Sequence, residues 1–192
     1  MLSRTPNQSK ARATEARATK ARITNIEIRF AIALSVLGWV IVEATEQGIC
    51  AIEFGDTPEI LTTQLQTRFP LAQPQESDPM FSNWVAQVLR LIETPARGLD
   101  VPLDIQGTAF QRLVWTALQT IPSGTTVSYG AIAQQIDQPT AIRAVATACA
   151  ANTLAVAIPC HRVVRSNGGL SGYRWGIERK RALLEREVSS FC

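Results

Sequence analysis

Between Glu27 and Phe54 the chain carries three apolar runs, 28–37, 39–44 and 49–54, separated only by Gly38 and by Glu46-Gln47-Gly48. Connections this short leave no room for a crossover, so consecutive strands joined by them lie antiparallel. The runs are rich in Ile, Val and Phe and glycine marks both reversals, which predicts an antiparallel meander. Asp56 or Thr57 before Pro58 is a helix start, with Leu61, Leu65 and Phe69 on one side. After a Pro- and Gln-rich loop at 70–79, Phe81, Val85, Val88, Leu89 and Ile92 form a second apolar helical stripe. The first half thus reads as an acidic α+β subdomain.

Residues 93–107, ETPARGLDVPLDIQG, have two prolines, two glycines and little periodicity, which places a boundary near 104. Thr108-Ala-Phe-Gln111 then reads as a capping box, opening a helix with Phe110, Leu113, Val114, Ala117 and Leu118 inward. Pro122-Ser-Gly124 turns the chain, and two shorter helices follow, 128–136 and 139–151, separated by Asp137 and Gln138. That spacing permits a helix-turn-helix. The fold class predicted is α+β: an N-terminal antiparallel sheet subdomain with helices (25–104), plus a mainly helical C-terminal domain with a helix-turn-helix (105–192). Residues 11–24 repeat ARATE, ARATK, ARIT with neither helical nor strand period, and residues 1–24 read as a basic, disordered arm.

The net charge of +3 conceals a division along the chain: +5 over residues 1–22, −7 over 23–111, +6 over 112–181 and −1 over 182–192. Basic segments on an otherwise acidic chain suit an anionic partner, nucleic acid first, or a solvated basic face. Four cysteines, Cys50, Cys149, Cys160 and Cys192, are scattered without C-x-x-C spacing and read as thiols. With His161 the single histidine, no metal site is expected, and no cofactor. The apolar stretch Phe30 to Val42 spans 13 residues, short of the roughly 20 that cross a bilayer, so no membrane span is expected. Met1 to Arg22 lacks the apolar stretch of a signal peptide, and the reading is a cytoplasmic protein.

Two stretches carry chemistry. In PTAIRAVATACAAN, residues 139–152, nearly every side chain is small and Arg143 is the one charge. Small residues let a helix backbone approach another surface closely, DNA included, although a tightly packed core helix explains the alanines equally well. A buried, unpaired Arg143 would be costly. In AIPCHRVVRS, residues 157–166, Cys160 directly precedes His161. A thiolate needs a base or a positive field, and His161 is the imidazole available. Adjacent residues on extended chain point apart, so the pair suits either an activated thiol reached by a turn or a water, or a buried structural cysteine beside a hydrogen-bonded histidine.

SYGAIA at 128–133, RAVATACAAN at 143–152, PCHRVV at 159–164 and LSGYRWG at 170–176 together resemble the O6-alkylguanine-DNA alkyltransferases. The similarity is closest to the C-terminal half of the Ada-type members and runs from about residue 25 to 188. The resemblance implies irreversible, single-turnover transfer of the methyl group of O6-methylguanine, and of O4-methylthymine, to Cys160. His161 would act through water and Glu187, in GIERKRALLERE, would orient it. The Tyr129 hydroxyl would donate toward N3 of the guanine, an electrostatic stabilisation of developing charge. Carbonyls of Cys160 and Val163 would receive the base's amino group, with Tyr173 and Arg174 closing over it and Asn152 tying the DNA-binding helix to the active-site segment. The base would be flipped out of double-stranded DNA held through its minor groove. Arg143 would fill the vacancy, and small residues such as Ala144 and Ala151 would permit the approach. The division of Arg162 and Arg165 between structure and DNA stays open.

Some departures from the family pattern carry expectations. Ada-type proteins precede this region with a zinc domain, whose activities are expected to be absent, and the zinc ligands that some relatives carry in the first subdomain are missing. Trp175 stands where other relatives have smaller residues and is expected to narrow the pocket, favouring methyl over benzyl groups. A monomer is expected, since no unexplained apolar stripe demands a partner. The competing readings are a non-catalytic module that recognises alkylated DNA, against which Cys160 argues, and a cysteine hydrolase, for which no oxyanion hole is visible.

Overall fold

The structure, a computed structural model, describes residues 27–75 and 77–189. The basic arm at 1–24 and Cys192 lie outside the described residues. The three apolar runs form β1 (Arg29–Ser35), β2 (Gly38–Thr45) and β3 (Gly48–Gly55), paired antiparallel in sequence order. A two-residue strand, β4 (Gln73–Pro74), adds parallel to β1, giving the order β3-β2-β1-β4. The Pro- and Gln-rich loop gave no periodic sign of that strand.

β2 is buried on both faces, and alternation divides its side chains. Val40, Val42 and Ala44 join the main core, whereas Ile41 joins Ile28, Phe30, Leu61 and Leu65 in a second cluster under α1 (Pro58–Arg68). Thr57 caps α1 by accepting from Ile60 N–H at 3.3 Å, with Pro58 in the first turn as the sequence predicts. On the α1 side the carboxylates of Glu43 and Glu53 are buried, and both are bound by Arg68 at 2.5 and 2.8 Å. Burial raises the Glu43 carboxyl to about 7 against the pull of that arginine.

The other face of the sheet carries α2 (Pro79–Glu93), which buries Phe81, Trp84, Val88, Leu91 and Ile92. Val85 and Leu89 are only partly buried. The same core continues into α3 (Ala109–Gln119), α4 (Tyr129–Gln135), α5 (Ile142–Ala150) and α6 (Ile177–Ser189). The capping box forms as expected, Thr108 and Gln111 bonding reciprocally. Leu113, predicted inward, is instead exposed, and Trp115 takes the core position with its indole N–H donating to the Ala148 carbonyl at 2.9 Å. The helix predicted at 139–151 starts later, at Ile142. Asp137 takes a left-handed φ of 56°, and the Gln138 and Ala141 amides bond back to Ala133 and Gln138, so residues 136–141 form the turn. α4 and α5 pack on each other across it, the helix-turn-helix arrangement.

The outer edge of β3 is covered by chain from beyond residue 100. Ile49 N–H donates to the Pro102 carbonyl at 2.9 Å and Ile52 N–H to the Thr153 carbonyl at 2.8 Å, which removes a free strand edge. Among the described residues no helix is long and apolar enough to cross a membrane, and no cluster of three or more potential ligands could hold a metal ion.

Gly48 makes the first of these contacts possible. Its φ is 149°, and a Cβ there would stand 2.3 Å from the Pro102 oxygen, a backbone atom that cannot step aside. Gly48→Ala is expected to lower stability by about 2–3 kcal/mol through overpacking and backbone strain. Urea unfolding checks this, and wild-type stability would contradict it.

Candidate active site

β5 (Val127–Ser128) and β6 (Val163–Val164) pair in parallel, Val127 opposite Val163. Ser128 then caps α4, accepting from Ala131 N–H at 3.1 Å, so Tyr129 enters its helix beside the segment that begins at Cys160. From the other direction, Asn152 follows the end of α5 by two residues and is buried. Its amide nitrogen donates to the carbonyls of Leu154 and Ile158 and lies 3.2 Å from Cys160 Sγ, while its oxygen accepts from Leu154 N–H. Between them the chain folds through two three-residue turns, Ala157 N–H to Ala155 O at 2.7 Å and Cys160 N–H to Ile158 O at 2.8 Å. Val156, at the centre of the first, has φ 65°, an expensive conformation for a β-branched residue.

Cys160 opens a short 3-10 turn, Cys160–Arg162, at the base of a cavity of about 570 Å3. Tyr129, Cys149, Ser171, Tyr173 and Arg174 also line it. Cys160 is 5% exposed, and burial raises its thiol; Asn152 and the charge of Lys180 pull the other way without prevailing. The resting group is therefore a thiol at neutral pH. Cys149, in the same cavity, is pushed up to about 12 by burial.

Behind the thiol, His161 and Glu187 are both fully buried and in contact, Nε2 to Oε1, at 2.8 Å. Burial alone would raise Glu187, but the hydrogen bonds from His161 and Arg162, the charge His161 carries when protonated and the Gly124 N–H at 3.0 Å outweigh it and hold the carboxyl at about 2. An ionised carboxylate only accepts, so the shared hydrogen sits on His161 Nε2 and Nδ1 keeps its lone pair. Nδ1 has no hydrogen-bond partner among the described residues. Burial lowers the His161 pKa more than Glu187 raises it, so the resting imidazole is neutral and able to take a proton.

The division left open between Arg162 and Arg165 is resolved by position. Arg162 is buried; its Nε lies 2.9 and 3.2 Å from the two Glu187 oxygens and its Nη1 donates to the Ile121 carbonyl at 2.5 Å, a structural clamp. Arg165 is exposed and borders the cavity. On α5, Val145, Ala148 and Cys149 face the core while Arg143, Ala144, Thr147 and Ala150 are exposed, and Ala151 is half-buried at the helix end. Core packing thus explains the small residues on one face of the helix, and the opposite face is open to solvent. Trp175 does not line the cavity. It stands behind it, packed edge-on against Tyr173 and Phe54, with ring centroids 5.0 and 6.2 Å away. Arg174 reaches back to Glu53 at 3.0 Å, tying the loop to β3.

Sequence reading passed over Lys180, which is fully buried and donates to the Val163 carbonyl at 2.5 Å and to Ser171 Oγ at 3.2 Å. The Val163 carbonyl, expected to receive the base, therefore already accepts one bond and has one lone pair to offer. The overlooked sign was periodicity: Lys180, Leu183 and Glu187 recur at i, i+3 and i+7, one face of α6.

Glu187→Gln leaves Arg162 buried without its anion, an expected loss of about 3 kcal/mol in urea unfolding. The folded carboxyl lies below its ordinary 4.5, so its contribution is complete above pH 4.5 and is lost as the pH falls toward 2. His161, held below 6.5 and neutral, makes stability fall as the pH drops under 6.5. Wild type should lose stability through both windows and Glu187→Gln should be flatter between 4.5 and 2; equal slopes there would contradict the assignment.

A family model described as the DNA-binding domain of 6-O-methylguanine DNA methyltransferase matches residues 109–189. The chain is 53% identical over 164 residues to the regulatory protein ada of Salmonella typhimurium, covering 85% of this chain and 46% of that protein. It thus spans about half the length of that relative. It is 37% identical over 147 residues to the inducible methylated-DNA–protein-cysteine methyltransferase of Bacillus subtilis, covering 76% of this chain and 82% of the relative. The crystal structure of Mycobacterium tuberculosis OGT in complex with DNA superposes with a TM-score of 0.70 at 38% identity, covering 84% of this chain and 94% of that one. With a relative this similar covered over most of its length, and a fold shared with OGT, the chain belongs to the methylated-DNA–protein-cysteine methyltransferase family.

Proposed function

We propose that this protein removes the methyl group from O6-methylguanine, and from O4-methylthymine, in double-stranded DNA by transferring it to Cys160. The observation that carries this reading is the buried thiol of Cys160 lining a cavity with Tyr129, followed in the chain by the neutral His161 that is bonded to the ionised Glu187. A base stacked in a duplex cannot reach that depth, so the nucleotide is flipped into the cavity. The exposed face of α5 enters the minor groove, Ala144 and Ala151 allowing the approach and Arg143 filling the gap in the stack. The chain acts as a monomer, with its division near residue 104 separating the sheet-bearing part from the part that holds DNA and thiol.

The reaction balances within these groups. His161 Nδ1 takes the thiol proton through a water while Glu187 stabilises the imidazolium. The sulfur attacks the methyl carbon, the carbon–O6 bond breaks, and its electron pair passes into the guanine ring. The Tyr129 hydroxyl donates toward N3 as that charge develops, and the guanine anion takes up one proton while His161 gives up the one it received, so that neutral guanine and a neutral imidazole result. The product thioether is beyond thiol exchange, so each molecule acts once.

Intact mass after incubation with excess duplex carrying O6-methylguanine tests the reading. One methyl per protein, mapped to Cys160 and absent in Cys160→Ala, is the expected result; binding without a mass change would make the protein a damage-recognition module, and turnover of esters a hydrolase. Arg143→Ala is expected to slow repair of duplex about tenfold, the cost of a poorly held flipped base, with reaction toward the free base unchanged. Because Trp175 stands behind Tyr173, any effect it has on substrate size acts through that ring. Trp175→Gly is expected to be inactivated faster by O6-benzylguanine than wild type, and equal sensitivity would remove Trp175 from substrate selection.

A further inference from the structure

Tyr129 is joined to a buried cation by a chain of hydrogen bonds. Its hydroxyl lies 2.6 Å from Ser171 Oγ, and that oxygen in turn lies 3.2 Å from Lys180 Nζ. The other bond of Lys180 goes to the carbonyl of Val163, whose β6 position faces Val127, two residues before Tyr129. Lys180 is fully buried and forms no ion pair among the described residues. Burial pulls its pKa below the ordinary lysine range. A buried charge with only neutral acceptors is costly, and an apolar side chain would fill the same space at less expense. The position therefore serves something other than packing.

We propose that Lys180 and Ser171 are positioning residues that fix the direction of this chain, so that the Tyr129 hydrogen points into the cavity, at the atom of the base that gains charge. An ammonium has three donors and no acceptor, so the Ser171 oxygen can only accept from Lys180. That bond fills one of the serine's two lone pairs and polarises its hydroxyl, which favours the serine's own hydrogen on the Tyr129 oxygen, its near neighbour. With its oxygen occupied as an acceptor, the phenol keeps its hydrogen for a third group, and Tyr129 and Ser171 both line the cavity where that group is received. Each donor in such a series polarises the next, which strengthens the last. Without the ammonium the Tyr129–Ser171 bond runs equally well in reverse, and the phenol then donates to the serine and presents no hydrogen to the base.

This role rests on the alkyl-transfer reading above. Its test is a double-mutant cycle on the single-turnover methyl-transfer rate, with duplex affinity measured alongside. Ser171→Ala leaves the Lys180 charge in place and removes only the link. It is expected to slow transfer about tenfold, part of the roughly hundredfold that loss of the Tyr129 donor itself costs in Tyr129→Phe, with duplex affinity changed less than about twofold. In the Tyr129→Phe background the same substitution is expected to have no further effect, and Ser171→Thr is expected to regain most of the lost rate. Lys180→Met should slow transfer as Ser171→Ala does; should it fail to fold, the serine–tyrosine cycle still decides. Additive losses in the double variant, or an unaffected Ser171→Ala, would overturn the positioning role while leaving alkyl transfer intact. A wild-type protein that transfers no methyl to Cys160 would overturn the function, and this role with it.

Discussion

One buried carboxylate organises the second half of the molecule. Glu187, on the last helix, accepts from His161, from Arg162 and from the Gly124 amide, and so joins three stretches distant in sequence. An ion removed from water is tolerable only where donors replace its hydration, and here all come from the protein. The same bonds that stabilise the fold fix the imidazole, because an acceptor-only partner sets its tautomer and leaves Nδ1 with its lone pair. Arg162 takes up the negative charge in the resting state, which lets His161 remain neutral beside it until a proton arrives.

The thiol follows a different logic from a preformed thiolate. Burial keeps Cys160 protonated even with Lys180 nearby. A buried neutral thiol is a poor target for solvent-borne electrophiles and oxidants. Asn152 contributes in the opposite sense, its amide pointing at the sulfur while pinning the carbonyls of Leu154 and Ile158. The polar groups around Cys160 thus restrain its geometry more than they raise its resting reactivity.

Much of this was legible in the sequence where local rules act alone. Glycine-split apolar runs gave the meander, Pro58 and the Thr108–Gln111 pair gave helix starts, and the Cys-His pair with the surrounding motifs gave the site. What escaped depended on tertiary context. Leu113 and Trp115 lie two residues apart on α3, and only the Ala148 carbonyl facing the indole decides which is inside. Arg162 stayed open between structure and DNA, and Lys180 passed unnoticed, because most arginines and lysines are surface charge and the carboxylate and carbonyls that hold these two come from other elements. The start of α5 was misplaced because Asp137 adopts a left-handed conformation that pattern rules assign mainly to glycine.

The cover on β3 bears on how the site is assembled. Thr153, three residues past α5, reaches the Cys50 carbonyl across 103 positions of chain, beside the backbone bonds of Ile52 to Thr153 and Ala155. Contacts at such separation carry the largest loop-closure entropy and form after local structure is in place. The turns that lead to Cys160, including the strained one at Val156, begin at this bridge, and until it closes only local bonds such as those of Asn152 hold them. A growing or partly folded chain therefore carries a thiol without its cavity, its histidine base or its buried carboxylate. The site arrives late and as a unit, when the edge of an N-terminal strand receives the segment that leads to Cys160.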